Sequence, residues 1–146
     1  MTQRYDVPGL GARIVNGAIR RLAEAGLTIQ GSTAIRVRGR TSGRLRPVVV
    51  NLLAVDGRRF LISPRGNTQW ARNARAAGEI EIGPRGRTRG HRIVEMPDED
   101  KPDLLKPYID RWFWQVKGHI GGLTPQSSRD EMRRVAPSIP VFEVLD

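Results

Sequence analysis

Apolar residues recur at helical spacing between residues 11 and 26. Ile14, Val15, Ala18, Ile19, Leu22 and Ala23 form one stripe, with Arg13, Arg20, Arg21 and Glu24 off it. The spacing predicts an amphipathic helix over 11–26, stopped by Gly26. Its stripe reads as a face that covers the core or meets a partner, and the flanking arginines also suit peripheral membrane contact. Beyond it the period shortens. Thr33–Val37 and the mostly apolar Pro47–Val55 predict strands, and Asp56-Gly57 predicts a tight hairpin into Arg59–Ser63. Pro64-Arg65-Gly66-Asn67 ends that strand. Thr68 to Ala77 predicts a short helix closed by Gly78. Glu79–Ile82 alternates polar and apolar residues as a half-buried strand does. A turn at Gly83-Pro84-Arg85-Gly86 leads to a returning strand, Arg89–Met96.

Pro97-Asp98-Glu99-Asp100 suits the positive end of a helix dipole. That helix is expected to reach about Val116, divided by Pro102 and Pro107. Gly118 to Ser128 reads as a mobile loop, Asp130–Val135 as a helical turn or two, and Ile139–Leu145 as a last strand. Short turns between strands predict a mainly antiparallel sheet. The βαβ rhythm of a parallel nucleotide-binding sheet is missing. The predicted fold class is α+β: a barrel-like sheet of about six strands with helices packed outside, in one domain over residues 1–146.

The length of 146 residues suits one domain with one core. The absence of cysteine removes disulfides, thiolate catalysis and cysteine-ligated metals. His91 and His119 are far apart in sequence, and no metal site is expected. The first residues hold no long apolar run, so neither a secretory signal nor a membrane span is expected, and a cytoplasmic protein is the default. Charge changes the picture more. With 25 Lys+Arg against 15 Asp+Glu the formal net charge is +10, which attracts nucleic acid, anionic lipid or a phosphorylated cofactor. Aromatic residues are only 5% and do not interleave with the clusters Arg36–Arg46 and Arg85–Arg92. No specific nucleic-acid partner is therefore expected.

Gly39-Arg40-Thr41-Ser42-Gly43 carries the most information. Two glycines permit a tight turn that presents backbone N–H groups, Arg40 adds a planar cationic fork, and Thr41 and Ser42 add hydroxyls. Arg44 and Arg46 follow at once. The set suits a phosphate or a carboxylate, and equally an ordinary basic hairpin turn. It is not a P-loop, since Gly-Lys-Ser/Thr and a following helix are missing.

This motif, followed by Arg46-Pro47, the Asp56-Gly57 hairpin, Ser63-Pro64-Arg65-Gly66-Asn67, Trp70-Ala71-Arg72-Asn73 and Ile139-Pro140-Val141-Phe142, resembles the deazaflavin-dependent nitroreductase and quinone reductase family over roughly residues 31 to 145. The family belongs to the split β-barrel flavin-binding superfamily. The resemblance implies a split β-barrel that holds coenzyme F420, with FMN as the cofactor of related barrels. It implies an oxidoreductase that passes a hydride from reduced F420 to a quinone-like or other unsaturated acceptor. The alternative is a non-catalytic split-barrel binder of a lipid or other hydrophobic ligand.

Under the resemblance, Arg40, Thr41, Ser42 and Gly43 lie near the phosphate and acidic tail of the cofactor, and Arg46, Pro47 and Val48 enter its groove. Ser63, Pro64, Arg65 and Gly66 run beside the cofactor, with backbone amides and one cation at its ring end. Trp70 and Asn73 stand on the short helix beyond. Tyr108, Trp112 and Trp114 are assigned to an apolar wall against a flat acceptor, with Tyr108 as a hydrogen-bond donor to developing oxyanion charge. Three consecutive aromatics, Trp112 to Trp114, cannot all face one way on a helix, so one or two are expected in the core. The protein is expected to act as a monomer or a homodimer.

Overall fold

The computed structural model describes residues 32–83 and 86–145. The helix expected over 11–26, and Pro84 and Arg85 of the expected turn, lie outside the described residues. Six strands form a closed barrel: β1 (Ser32–Arg38), β2 (Leu45–Val55), β3 (Arg58–Ile62), β4 (Glu79–Ile82), β5 (Arg89–Glu95) and β6 (Val141–Val144), in the spatial order β1-β2-β3-β6-β5-β4. Every pairing is antiparallel.

Two strands make the split. The first part of β2 pairs with β1 as far as Asn51 opposite Ser32, and from Leu52 onward it pairs with β3. Likewise β5 pairs with β4 through Arg92 and with β6 from Ile93. Each long strand thus leaves one sheet and joins the other at mid-length. The β2–β3 hairpin turns on Asp56 (φ 51°) and Gly57 (φ 76°). Two successive positive φ angles are what an Asp-Gly type I′ turn requires.

The alternation along the strands builds two cores. Ile35, Val37, Val50, Leu61, Ile80, Ile93, Phe142 and Val144 fill the barrel. Leu53, Phe60, Ile62 and Val141 point outward and are covered by helices. Full burial of each such side chain stabilises by about 1.5–3 kcal/mol. A helix, α1 (Gln69–Ala77), sets Ala71 and Ala74 against the barrel core, and a second helix, α2 (Pro102–Val116), covers the outer face with Leu104, Leu105, Tyr108, Ile109 and Trp112. A short third helix, α3 (Arg129–Val135), adds Met132 and starts at a capping box between Ser128 and Glu131.

Two local expectations are corrected. Pro107 does not divide α2. Pro102 occupies the first helical position, where a missing N–H costs nothing, and the apolar face around Pro107 keeps the chain helical by packing. The distortion falls at Trp112 instead (φ −122°, ψ 17°). The segment 118–128 is a succession of turns, not a bare tether. Ile120 and Leu123 are fully buried in the outer core, and His119, Leu123 and Ser127 donate backbone hydrogen bonds back to Val116, Ile120 and Thr124.

Candidate anion-binding turn beside the first helix

The β1–β2 turn is closed by its own backbone. Gly39 N–H donates to the Arg44 carbonyl at 2.8 Å, and Gly43 N–H donates to the Gly39 carbonyl at 2.9 Å. A β-carbon at Gly39 would stand 2.6 Å from Ser42 Oγ and 3.7 Å from Arg46 Nε. Glycine here leaves room for the Ser42 hydroxyl, which a β-carbon would displace, beside the Arg46 guanidinium. Ser42 Oγ also accepts the Arg44 N–H at 3.2 Å. Gly43 takes φ 71°, a conformation that glycine adopts without strain.

The second wall is α1. Thr68 caps its start by accepting the Ala71 N–H, and Gly78 closes its end in the left-handed conformation, donating to the Ala74 carbonyl. Asn73, buried on this helix, accepts from the Arg40 backbone N–H at 3.1 Å and from Arg40 Nη1 at 2.7 Å. Gln69 Oε1 accepts from the same Nη1 at 3.0 Å. Arg38 Nη1 donates to the Gly43 carbonyl.

Charge is concentrated at this turn. Arg58, Arg75, Arg129 and Arg133 each pair with a carboxylate, on Glu143, Glu95, Asp103 and Asp130 respectively. Among the described residues, Arg38, Arg40, Arg44 and Arg46 have no carboxylate partner, and Arg38 and Arg40 rest on neutral oxygens. Arg72, beside Asn73, carries a buried Nε with no acceptor among the described residues. Four unneutralised guanidinium groups on this turn and the strand ends that flank it repel one another, and an anion relieves that cost. The turn fits a phosphate or polycarboxylate.

The Ser63–Gly66 loop is more committed than expected. Ser63 is fully buried, and its hydroxyl donates to the Gly66 carbonyl at 2.6 Å and meets Thr68 Oγ1 at 2.9 Å. Its N–H donates to the Pro140 carbonyl, and the Gly66 N–H donates back to the Ser63 carbonyl. The amides of Ser63 and Gly66 are thus held within the chain, which corrects the expectation that they face a ligand. This loop and Thr68 lock the start of α1 to β6. Arg65 Nη1 reaches His119 Nδ1 at 3.4 Å, which ties the loop after α2 to the loop after β3.

Other expected site residues separate. Val48 packs against the barrel interior, and Trp70 tilts against Phe142 with ring centroids 6.1 Å apart. Pro47 pairs with Arg36 at the β1–β2 edge, while Thr41 is exposed in the turn and Pro64 is half-buried. Tyr108 and Trp112 are buried in the outer core, whereas Trp114 is 61% exposed on the opposite side of α2. A single wall of Tyr108, Trp112 and Trp114 is not formed. The reason is helical geometry: residues 108 and 112 share a face at i, i+4, and 114 is turned away from them. The Tyr108 phenol is pushed well above its usual pKa by burial, which the neighbouring Asn51 side chain partly offsets. Gln69 was not anticipated. Its signal was its position four residues before Asn73, which places two carboxamides on one helix face.

A separate cleft of about 530 Å³ is lined by Asn67, Arg75, Glu95, Met96, Lys101 and Pro140, among others. Arg75 lies roughly 200° round α1 from Asn73, so this cleft flanks the other side of the helix. Both of its cations are already paired, Arg75 with Glu95 and Lys101 with Asp98. A polyanion is better matched by the arginine turn.

The model of the F420H(2)-dependent quinone reductase family matches residues 12–116. The chain belongs to the F420H2-dependent quinone reductase family. Its cofactor class is therefore reduced deazaflavin and its chemistry that of an oxidoreductase. No curated protein matches the chain. Three solved structures share its fold. The protein Atu2129 of unknown function from Agrobacterium tumefaciens is 18% identical with a TM-score of 0.55, and the alignment covers 94% of this chain and 56% of that one. This chain thus spans little more than half of that protein. A domain-swapped dimer is 14% identical with a TM-score of 0.54, covering 93% and 99%. An F420-H2 dependent reductase (FDR-A) is 16% identical with a TM-score of 0.51, covering 78% and 93%. These likenesses establish the split-barrel fold. Among the described residues no helix is long and apolar enough to cross a membrane.

Proposed function

We propose that this family member transfers a hydride from reduced F420 to a quinone-like or other unsaturated acceptor, with the acidic tail of the cofactor held at the turn between β1 and β2. The supporting observation is the clustering of Arg38, Arg40, Arg44 and Arg46 around one turn, with no carboxylate partner for any of them among the described residues. When bound, the deazaflavin supplies the hydride, and the acceptor takes up that hydride and a proton. The chain's own work is binding and position. Arg40 and Arg46 neutralise phosphate or glutamate charge, and Ser42 adds a hydroxyl at the same spot. Thr41, Gly43 and Pro47 border it. Arg65 supplies a further cation from the loop after β3.

The barrel lumen is filled by side chains, so the ligand lies across the outer surface of the barrel. The acceptor is reached without Tyr108 or Trp112 as exposed walls, since both are core residues. Exposed Trp114 remains the aromatic candidate on the acceptor side. A homodimer that completes the acceptor face is compatible with this arrangement.

A titration that follows quenching of F420 fluorescence tests cofactor binding, and oxidation of F420H2 with menadione tests turnover. Saturable binding with menadione-dependent oxidation is expected. Absence of binding at tens of micromolar F420 would sink the reading. Binding without oxidation of the reduced cofactor would favour the non-catalytic binder.

A further inference from the structure

We infer that Asn73 and Gln69 are positioning residues that act through Arg40, presetting the Nε–Nη2 edge of its guanidinium as the part that reads the anion. This rests on the arginine turn being the anion site. Both protons of Arg40 Nη1 have acceptors on α1: Asn73 Oδ1 at 2.7 Å and Gln69 Oε1 at 3.0 Å. The same Asn73 oxygen takes the Arg40 backbone N–H at 3.1 Å, so one buried carboxamide fixes both the main chain and the side chain of this arginine. Arginine carries five N–H donors. Two are taken by the helix, and the Nε and Nη2 donors have no acceptor among the described residues. Those atoms form the parallel fork that binds phosphate or carboxylate oxygens in a bidentate manner.

The acceptors on α1 are neutral, and that choice has a consequence. A carboxylate at position 73 or 69 would hold the guanidinium as firmly but cancel its charge. A carboxamide orients it and leaves the full positive charge for the ligand. Arg58 and Arg75, each forked onto a glutamate at 2.7–2.8 Å, show the opposite arrangement on the same molecule. An exposed arginine without such support loses rotamer freedom when it binds, and Asn73 with Gln69 removes part of that cost in advance.

A double-mutant cycle on F420 binding tests the inference. The second probe is the deazaflavin chromophore stripped of its phosphate and glutamates. Asn73→Ala is expected to weaken F420 about tenfold and Gln69→Ala about threefold, with the stripped chromophore changed less than twofold by either. Combining Asn73→Ala with Arg40→Ala is expected to give the affinity of Arg40→Ala alone. Asn73→Asp, which keeps both hydrogen bonds but adds a charge, is expected to weaken F420 more than Asn73→Ala does. Exposed Gln69 gives a variant that leaves the core untouched if the substitution at 73 impairs folding. Additive losses in the cycle would show that Asn73 touches the ligand itself and would overturn the inference while the proposed function stood. Equal loss for the stripped chromophore would overturn it as well. Failure of the unmodified protein to bind F420 would remove both.

Discussion

The Tyr108 ring lies 5.1 Å from that of Trp112, tilted by 53°, and both are sealed between α2 and the outward faces of β2 and β3. Such a pair stabilises the core through burial and edge-to-face contact. Tyr108→Ala is expected to cost about 3–5 kcal/mol of stability, read as a fall in the denaturant midpoint. Tyr108→Phe keeps the ring and loses only the hydroxyl, at about 1 kcal/mol. Its menadione-dependent turnover should stay within about twofold of the parent. A loss of a hundredfold in turnover by a folded Tyr108→Phe protein would return the phenol to the chemistry.

The same tyrosine sets an alkaline limit. Its folded pKa is raised above the unfolded value of 10.0, chiefly by burial. The neutral phenol is therefore favoured by folding. Its contribution is full below pH 10 and is lost as pH climbs toward the raised folded value, because the unfolded chain ionises first. Thermal melts from pH 8 to pH 11 should show Tm falling above about pH 10, with a shallower fall in Tyr108→Phe. Equal slopes in both proteins would assign the fall elsewhere.

At acid pH the sign reverses. The Arg58 guanidinium, hydrogen-bonded to both oxygens of Glu143, holds that carboxyl below its usual range. A lowered folded pKa gives stability that is present above the unfolded value and is lost as pH falls through the folded one. Glu143→Gln should therefore lower Tm at pH 7 and converge with the parent as pH falls through the lowered pKa of the folded carboxyl. The difference should be small, because Arg58 is half exposed and solvent screens the pair.

Gly39→Ala separates binding from folding. The new β-carbon meets Ser42 Oγ at 2.6 Å, and the hydroxyl has to swing away from Arg46 and from the Arg44 N–H. F420 affinity should fall about tenfold while Tm changes by only a few degrees. The pair Gly39→Ala with Ser42→Ala removes the clash and should recover any lost Tm without recovering affinity. A Gly39→Ala protein that binds F420 as the parent does would dissociate this corner from the site.

Arg40→Ala and Arg46→Ala should each weaken F420 by roughly 10- to 100-fold, the range of one charge-assisted contact of about 1.5–3 kcal/mol. Added salt should weaken the parent more steeply than either variant. Thr68→Ala tests the support from a distance. It removes the cap of α1 and the contact with Ser63 Oγ, and should cost about 1 kcal/mol of stability.

Local chemistry in the sequence was enough to settle the elements. Asp56-Gly57 demanded a hairpin, Gly78 a helix stop, and the alternation in Glu79–Ile82 a strand, because each rests on backbone conformation within a few residues. The order of motifs carried the family, and the arginines around Gly39 marked the turn proposed to bind an anion. Tertiary structure alone decided which side chains meet. Arg40 and Asn73 are 33 positions apart, and only barrel closure brings the turn after β1 onto α1. It also decided that Ser63 is locked inside, that Tyr108 and Trp112 belong to the core, and that Trp114 faces out. Burial is a property of what packs across from a residue, and a linear pattern of apolar positions does not state the partner.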